Sequence, residues 1–147
     1  MTQIDFYLLA SQDPKTRWDF CCRLVEKVQR LGHRILVSVD TQQDAETLNQ
    51  LLWSFKPESF IPHRIINDTK YPAMPVEITY SPEAGDHQDV LLNLGKQIPS
   101  FFSRFNRMSE FVTEDEETKI WTREHYRFYK ERGYPIETRP IEARNLR

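Results

Sequence analysis

The spacing of apolar residues along this chain switches repeatedly between the period of a strand and that of a helix. Ile4-Asp-Phe-Tyr-Leu-Leu9 is a short apolar run rich in aromatics and predicts a buried strand. Trp18, Cys21, Cys22, Val25, Val28 and Leu31 then recur at helical steps and mark one face of a helix. Asp13-Pro14 reads as its cap and first helical position, and Gly32 as its left-handed close. Arg34 to Val39 predicts a second strand, with Thr41 and Asp44 placed to start a second helix. That helix carries Ala45, Leu48, Leu51 and Leu52, and Pro57 ends it.

Further on, Pro75-Val-Glu-Ile-Thr-Tyr80 alternates apolar and polar, predicting a strand with one wetter face. Asp89-Val-Leu-Leu-Asn-Leu94 is a continuous, buried type of strand, and Pro99 opens a short helix carrying Phe101, Phe102 and Phe105. Met108 to Val112 predicts a fifth strand. Strands alternating with helices imply an α/β fold, a mostly parallel sheet covered on both faces and joined by right-handed crossovers. The whole chain, 1–147, reads as one domain, with 134–147 as a C-terminal tail.

Two stretches depart from simple core patterning. The segment Leu51 to His63 concentrates Trp53, Phe55, Phe60 and Ile61 in and after the last helical turn. Exposed apolar surface costs about 25 cal/mol per Å². Such a loop is therefore either folded back on the core or offered to a partner. The final helix is the second departure. Thr113 and Glu116 match a capping box, and Glu114 to Glu117 load the first turn with negative charge. The sign then reverses, and Lys119, Arg123, Tyr126, Arg127 and Lys130 share one face. Ile120, Trp121 and Phe128 lie beside them and are expected to enter the core. The stripe is either a solvated helix face or a receptor for an acidic, hydrophobic peptide.

Composition narrows the classes. Net charge is -2, so a nucleic-acid contact would need a local patch. No apolar run is long enough to span a bilayer, and no signal peptide is predicted. Cys21 and Cys22 are adjacent and have no other cysteine to pair with, which fits a reducing cytoplasm. The four glycines, Gly32, Gly85, Gly95 and Gly133, form no phosphate-binding turn.

A catalytic constellation does not assemble. His33, His63, His87 and His125 fall on different predicted elements without metal-ligand spacing. Glu83, Asp86, His87 and Asp89 surround Gly85 in what reads as a solvated turn. Ser11, Ser81 and Ser100 lack a nucleophile elbow, and the cysteines sit inside a helix, away from its N-terminus. No catalytic residue, metal or cofactor is expected.

Taken in order, Phe6-Tyr-Leu-Leu9, Cys22-Arg-Leu-Val-Glu-Lys27 through Gly32-His-Arg34, Leu52-Trp53, Ser59-Phe-Ile-Pro-His63, Pro75-Val76, Asp89 to Leu94, and Arg127-Phe-Tyr129 through Gly133-Tyr-Pro135 closely resemble the chi-subunit family of bacterial DNA polymerase III holoenzyme. The loop between His63 and Pro75 departs by lacking the glycines often found there. The resemblance implies a Rossmann-like three-layer fold without a nucleotide site and an adaptor role in DNA replication. It implies a one-to-one pairing with the psi subunit of the clamp loader through Trp53 and Phe60. It also implies capture of the acidic C-terminal tail of single-stranded DNA-binding protein by Val112, Lys119, Arg123 and Tyr126, with DNA met mainly indirectly. The rival readings are a nucleotide- or phosphate-using α/β enzyme and a module that docks a repair helicase through the same aromatic loop.

Overall fold

The computed structural model describes residues 1–56 and 58–146; Pro57, expected to end the second helix, lies outside the described residues. In chain order the elements are β1 (Gln3–Leu9), α1 (Thr16–Arg30), β2 (Ile35–Ser38), α2 (Gln42–Ser54), β3 (His63–Ile65), β4 (Val76–Thr79), β5 (Val90–Asn93), β6 (Arg107–Val112), α3 (Glu116–Glu131) and β7 (Ile136–Ile141). The strands form one sheet in the order β3-β4-β2-β5-β6-β1-β7, and every pairing is parallel. Parallel neighbours need a crossover between them, which is why each strand is separated from the next by a helix or a long loop.

Helices α1 and α2 cover one face of the sheet over Cys21, Val25, Leu48 and Leu52, packed on Val37, Ile78, Leu92 and Phe111. On the other face, α3 and a 3₁₀ turn at Phe102–Arg104 pack Phe102, Phe105 and Tyr129 on Phe6, Leu36, Leu91 and Met108. This is a three-layer, Rossmann-like single domain. No helix among the described residues is long and apolar enough to cross a membrane.

Local signals place most of the boundaries. Thr41 caps α2, its hydroxyl accepting from the Asp44 N–H at 3.1 Å. Gly32 takes φ +90° just after α1, a conformation that costs glycine little. At the start of α1, Asp13 accepts from the Lys15 N–H at 3.0 Å and nucleates a turn, so regular helix begins only at Thr16.

Five expectations are corrected. The cap of α3 is Asp115, which accepts from the Thr118 N–H and side chain, while Thr113 donates to Asp115 from outside the helix. Leu31 lies past the end of α1 and is exposed. Strand β4 has no wet face: Val76, Glu77, Ile78 and Thr79 are all buried, because Arg64 and His87 close over Glu77. The core side of α3 is Thr118, Thr122, His125 and Tyr129, whereas Ile120 is exposed and Trp121 and Phe128 are half-buried. Residues 134–147, expected as a tail, carry β7, which pairs with β1 along six residues. The bonds Ile4 N–H to Pro135 O and Ala10 N–H to Ile141 O turn the odd-numbered residues of this segment inward. Pro140 therefore faces the free edge, where its missing N–H leaves no ladder bond unmade.

Candidate functional site

The sheet has two outer edges, and each carries one of the expected residue groups. At the β3 edge, Trp53 ends α2 and is 49% exposed, while Phe60 on the following loop is 73% exposed. Their ring centroids are 5.8 Å apart, so they form one aromatic surface. The loop is not loose, because Ile61 beside Phe60 is buried in the core. His63 is also buried; its ring lies 4.5 Å from Trp53, and its nitrogens contact the carbonyls of Ile61 at 2.7 Å and Asn49 at 3.1 Å. The two possibilities left open by the sequence thus divide along the loop: Ile61 faces inward, and Phe60 faces solvent.

At the opposite edge, the C-terminal ends of β1, β6 and β7 and the start of α3 surround a cleft of about 410 Å³. Leu8, Val112, Pro140 and Ile141 supply apolar lining, Lys119 supplies a cation, and Glu114 and Glu142 supply anions. Arg123 and Tyr126 stand further along α3, outside the lining of the cleft. Tyr126 is 38% exposed, with its ring edge-on to Phe6 at 5.3 Å and Lys130 Nζ 5.9 Å from its centroid. Arg123 and Arg127 are exposed and form no ion pair among the described residues, and Lys119 has only a 3.9 Å contact with exposed Glu116. The expected stripe is therefore present and largely unneutralised.

Sequence reading did not single out Leu8 or Pro140. Leu8 is hidden in a continuous apolar run, although its register opposite Val112 and Pro140 exposes 37% of it. An alternation signal was available in Ile136-Glu-Thr-Arg-Pro-Ile141, but its proline suggests a tail equally well.

A buried polar cluster fixes α3 to the sheet. Glu110 of β6 accepts from Tyr129 Oη at 2.6 Å, His125 Nδ1 at 3.1 Å and Asn93 Nδ2 at 3.2 Å. His125 Nε2 lies 2.8 Å from the Lys96 carbonyl, so both ring nitrogens have acceptors. Burial opposes charge on His125, but the Glu110 carboxylate and the Lys96 carbonyl outweigh it and hold its pKa above the usual range.

Open α/β sheets place ligands in crevices at the carboxyl ends of their strands. Here Arg17, itself buried, reaches the ends of β5 and β6, donating to Leu94 O and Phe111 O at 3.0 Å each. Its guanidinium carbon lies 5.3 Å from the Trp121 ring centroid. The cysteines are equally enclosed: burial raises both thiols, pushing Cys22 up to about 12. Among the described residues no cluster of three or more His, Cys, Asp or Glu side chains could hold a metal ion.

The comparisons agree with one another. The family model described as DNA polymerase III chi subunit, HolC, matches residues 1–137. A DNA polymerase III subunit chi from Pseudomonas aeruginosa is 36% identical over 137 residues, covering 93% of this chain and 95% of that relative. Proteins of the same name from Haemophilus influenzae and Escherichia coli are 29% and 27% identical, covering 92% and 80% of this chain and 95% and 80% of theirs. With residues 1–137 matched by the family model and 93% of the chain aligned to a relative 36% identical, this chain belongs to the chi-subunit family of DNA polymerase III.

Proposed function

We propose that this chain is a non-catalytic adaptor of the replicative polymerase in the bacterial cytoplasm. It joins the clamp loader, through the psi subunit at Trp53 and Phe60, to the C-terminal tail of single-stranded DNA-binding protein at Val112, Lys119, Arg123 and Tyr126. DNA is met mainly through that second protein. The reading is carried by one observation: beside an apolar cleft, Arg123 and Arg127 of α3 form no ion pair among the described residues, and Lys119 has only a 3.9 Å contact with exposed Glu116. A tail ending in acidic residues, an apolar residue and a free carboxylate complements both halves of that surface. Val112 and Leu8 take the apolar residue, and Lys119 and Arg123 take the acids.

Arg123 is the stronger contact, because a guanidinium can hold a carboxylate through two bonds and an ammonium cannot. At the ends of β5 and β6, the hold of Arg17 on Phe111 O and Leu94 O under the Trp121 ring supports an adaptor over a nucleotide enzyme. Fluorescence anisotropy with a labelled tail peptide tests the proposal. Arg123→Ala is expected to weaken binding at least about tenfold, one charged hydrogen bond contributing roughly 1.5–3 kcal/mol. Affinity should also fall as salt rises. Full affinity in Arg123→Ala, or salt-insensitive binding, would remove α3 as the receptor.

A further inference from the structure

The loop from Asn67 to Ala73 contains no glycine, and hydrogen bonds set its course. Arg64 of β3 donates from Nη1 to the Tyr71 carbonyl at 2.6 Å, and its Nε binds Glu77. Glu77 is buried and also holds His87 Nε2 at 2.6 Å. Asn67 binds Ser81 at 2.8 Å, and the Asp68 N–H donates to Ile65 O at 3.0 Å. The backbone of Tyr71 is thus anchored through Arg64 to a buried carboxylate, yet its side chain remains 52% exposed. Tyr71 and Trp53 line the same cleft of about 240 Å³, with His63 and Ile65 also in its lining. Arg64 and Asp68 line it too, but their charges differ in consequence. Arg64 is neutralised by Glu77, while Asp68 forms no ion pair among the described residues.

We propose that the docking surface at the β3 edge is a cleft with two aromatic walls, Trp53 and Tyr71, which takes one large apolar side chain of the clamp-loader partner flanked by a basic residue. The apolar lining continues the exposed surface of Trp53 and Phe60, and an aromatic whose backbone is held before binding has less freedom to lose on contact. The Asp68 carboxylate, which accepts from the Lys70 N–H at 3.0 Å but meets no cation among the described residues, selects the basic neighbour, the opposite sign to the peptide favoured by α3. This inference rests on the reading of Trp53 and Phe60 as anchors for that partner.

The test is titration of the purified full chain with the purified psi subunit of the same organism. Tyr71→Ala should weaken the complex about tenfold or more, as expected for an aromatic at the heart of an interface. Tyr71→Phe should restore the affinity, and Asp68→Lys should weaken the complex several-fold. The thermal midpoint and the affinity for the tail peptide should not move in any of the three, since both side chains lie outside the core and away from α3. Loss of binding in Phe60→Ala with unchanged affinity in Tyr71→Ala and Asp68→Lys would overturn the two-walled cleft and leave the anchor reading standing. Full binding in Phe60→Ala would overturn the anchor reading itself.

Discussion

At the β3 edge of the sheet the exposed groups are aromatic, Trp53, Phe60 and Tyr71, and the neighbouring Arg64 is already neutralised by Glu77. At the β7 edge they are mainly cationic, with an apolar cleft beside Lys119, Arg123 and Arg127. Six strand spacings separate the two, roughly 29 Å at about 4.8 Å per strand. Each side also buries a histidine–glutamate pair, and the two histidine pKa values are shifted in opposite directions. Burial lowers the pKa of His87, with Glu77 opposing more weakly; Nδ1 of His87 has no hydrogen-bond partner among the described residues. His125 has a second acceptor in the Lys96 carbonyl, and its pKa is raised. The same residue types are shifted oppositely: His125 has acceptors at both nitrogens, while His87 has one and feels the positive charge of Arg34. Both sides are built on polar groups locked beneath the surface, but one presents hydrophobic area and the other presents charge.

The largest effect is expected from removing the carboxylate that joins α3 to the sheet. Glu110→Ala leaves the buried His125 Nδ1 and the Tyr129 hydroxyl without their shared acceptor, a loss of about 3–5 kcal/mol. Chemical denaturation should record this fall. An unchanged midpoint would show that α3 is held by apolar packing alone.

Next comes Phe60→Ala, expected to cost about 2 kcal/mol or more in capture of the clamp-loader partner while leaving the melting temperature nearly unchanged. Its tail-peptide affinity should equal that of the unaltered chain, and Arg123→Ala should show the converse, since distant sites without shared partners behave additively. If either variant weakens both interactions several-fold, the two edges do not act independently.

The smallest effect is in the dependence of stability on pH. His125, with its pKa raised, contributes stability that is fully present below about pH 6.5 and is lost as pH rises through the folded value. His87, with its pKa lowered, contributes stability present above about pH 6.5 and lost as pH falls through the folded value. The thermal midpoint should therefore decline on both sides of that region. His125→Gln should flatten the alkaline limb and His87→Gln the part of the acid limb nearest neutrality. Unaltered limbs in both variants would rule out these pairs as the titrating groups.

Much of the architecture was legible in the sequence because its determinants are local. Thr41 bonds three residues away, Gly32 needs only its own backbone angle, and the apolar face of α2 follows from helical spacing. The aromatic loop was legible for the same reason, since a dense set of large apolar residues after a helix must pack or be shown. What escaped depends on contacts distant in the chain. The Glu77 side chain in β4 reads as solvent-facing until Arg64 and His87 are brought over it. The inward face of α3 carries Thr118, Thr122 and His125, and hydropathy alone favours Trp121 and Phe128; the glutamate that binds His125 lies fifteen residues earlier in another element. Tyr71 was missed because its value lies in a cleft shared with Trp53, eighteen positions before it.

Pro140 has a consequence for the chain among its own copies. A parallel sheet with a bare outer strand is a template on which an identical molecule can lay another strand, and such stacking propagates. With Pro140 turned outward, only Ile136 and Thr138 of β7 can offer an N–H to a newcomer. At the other margin β3 spans just three residues. Two donors on one side and a stub on the other cannot hold a foreign strand in register. The sheet is closed to growth at both margins, so its edges can carry exposed aromatic and cationic groups without the molecule polymerising through its own backbone.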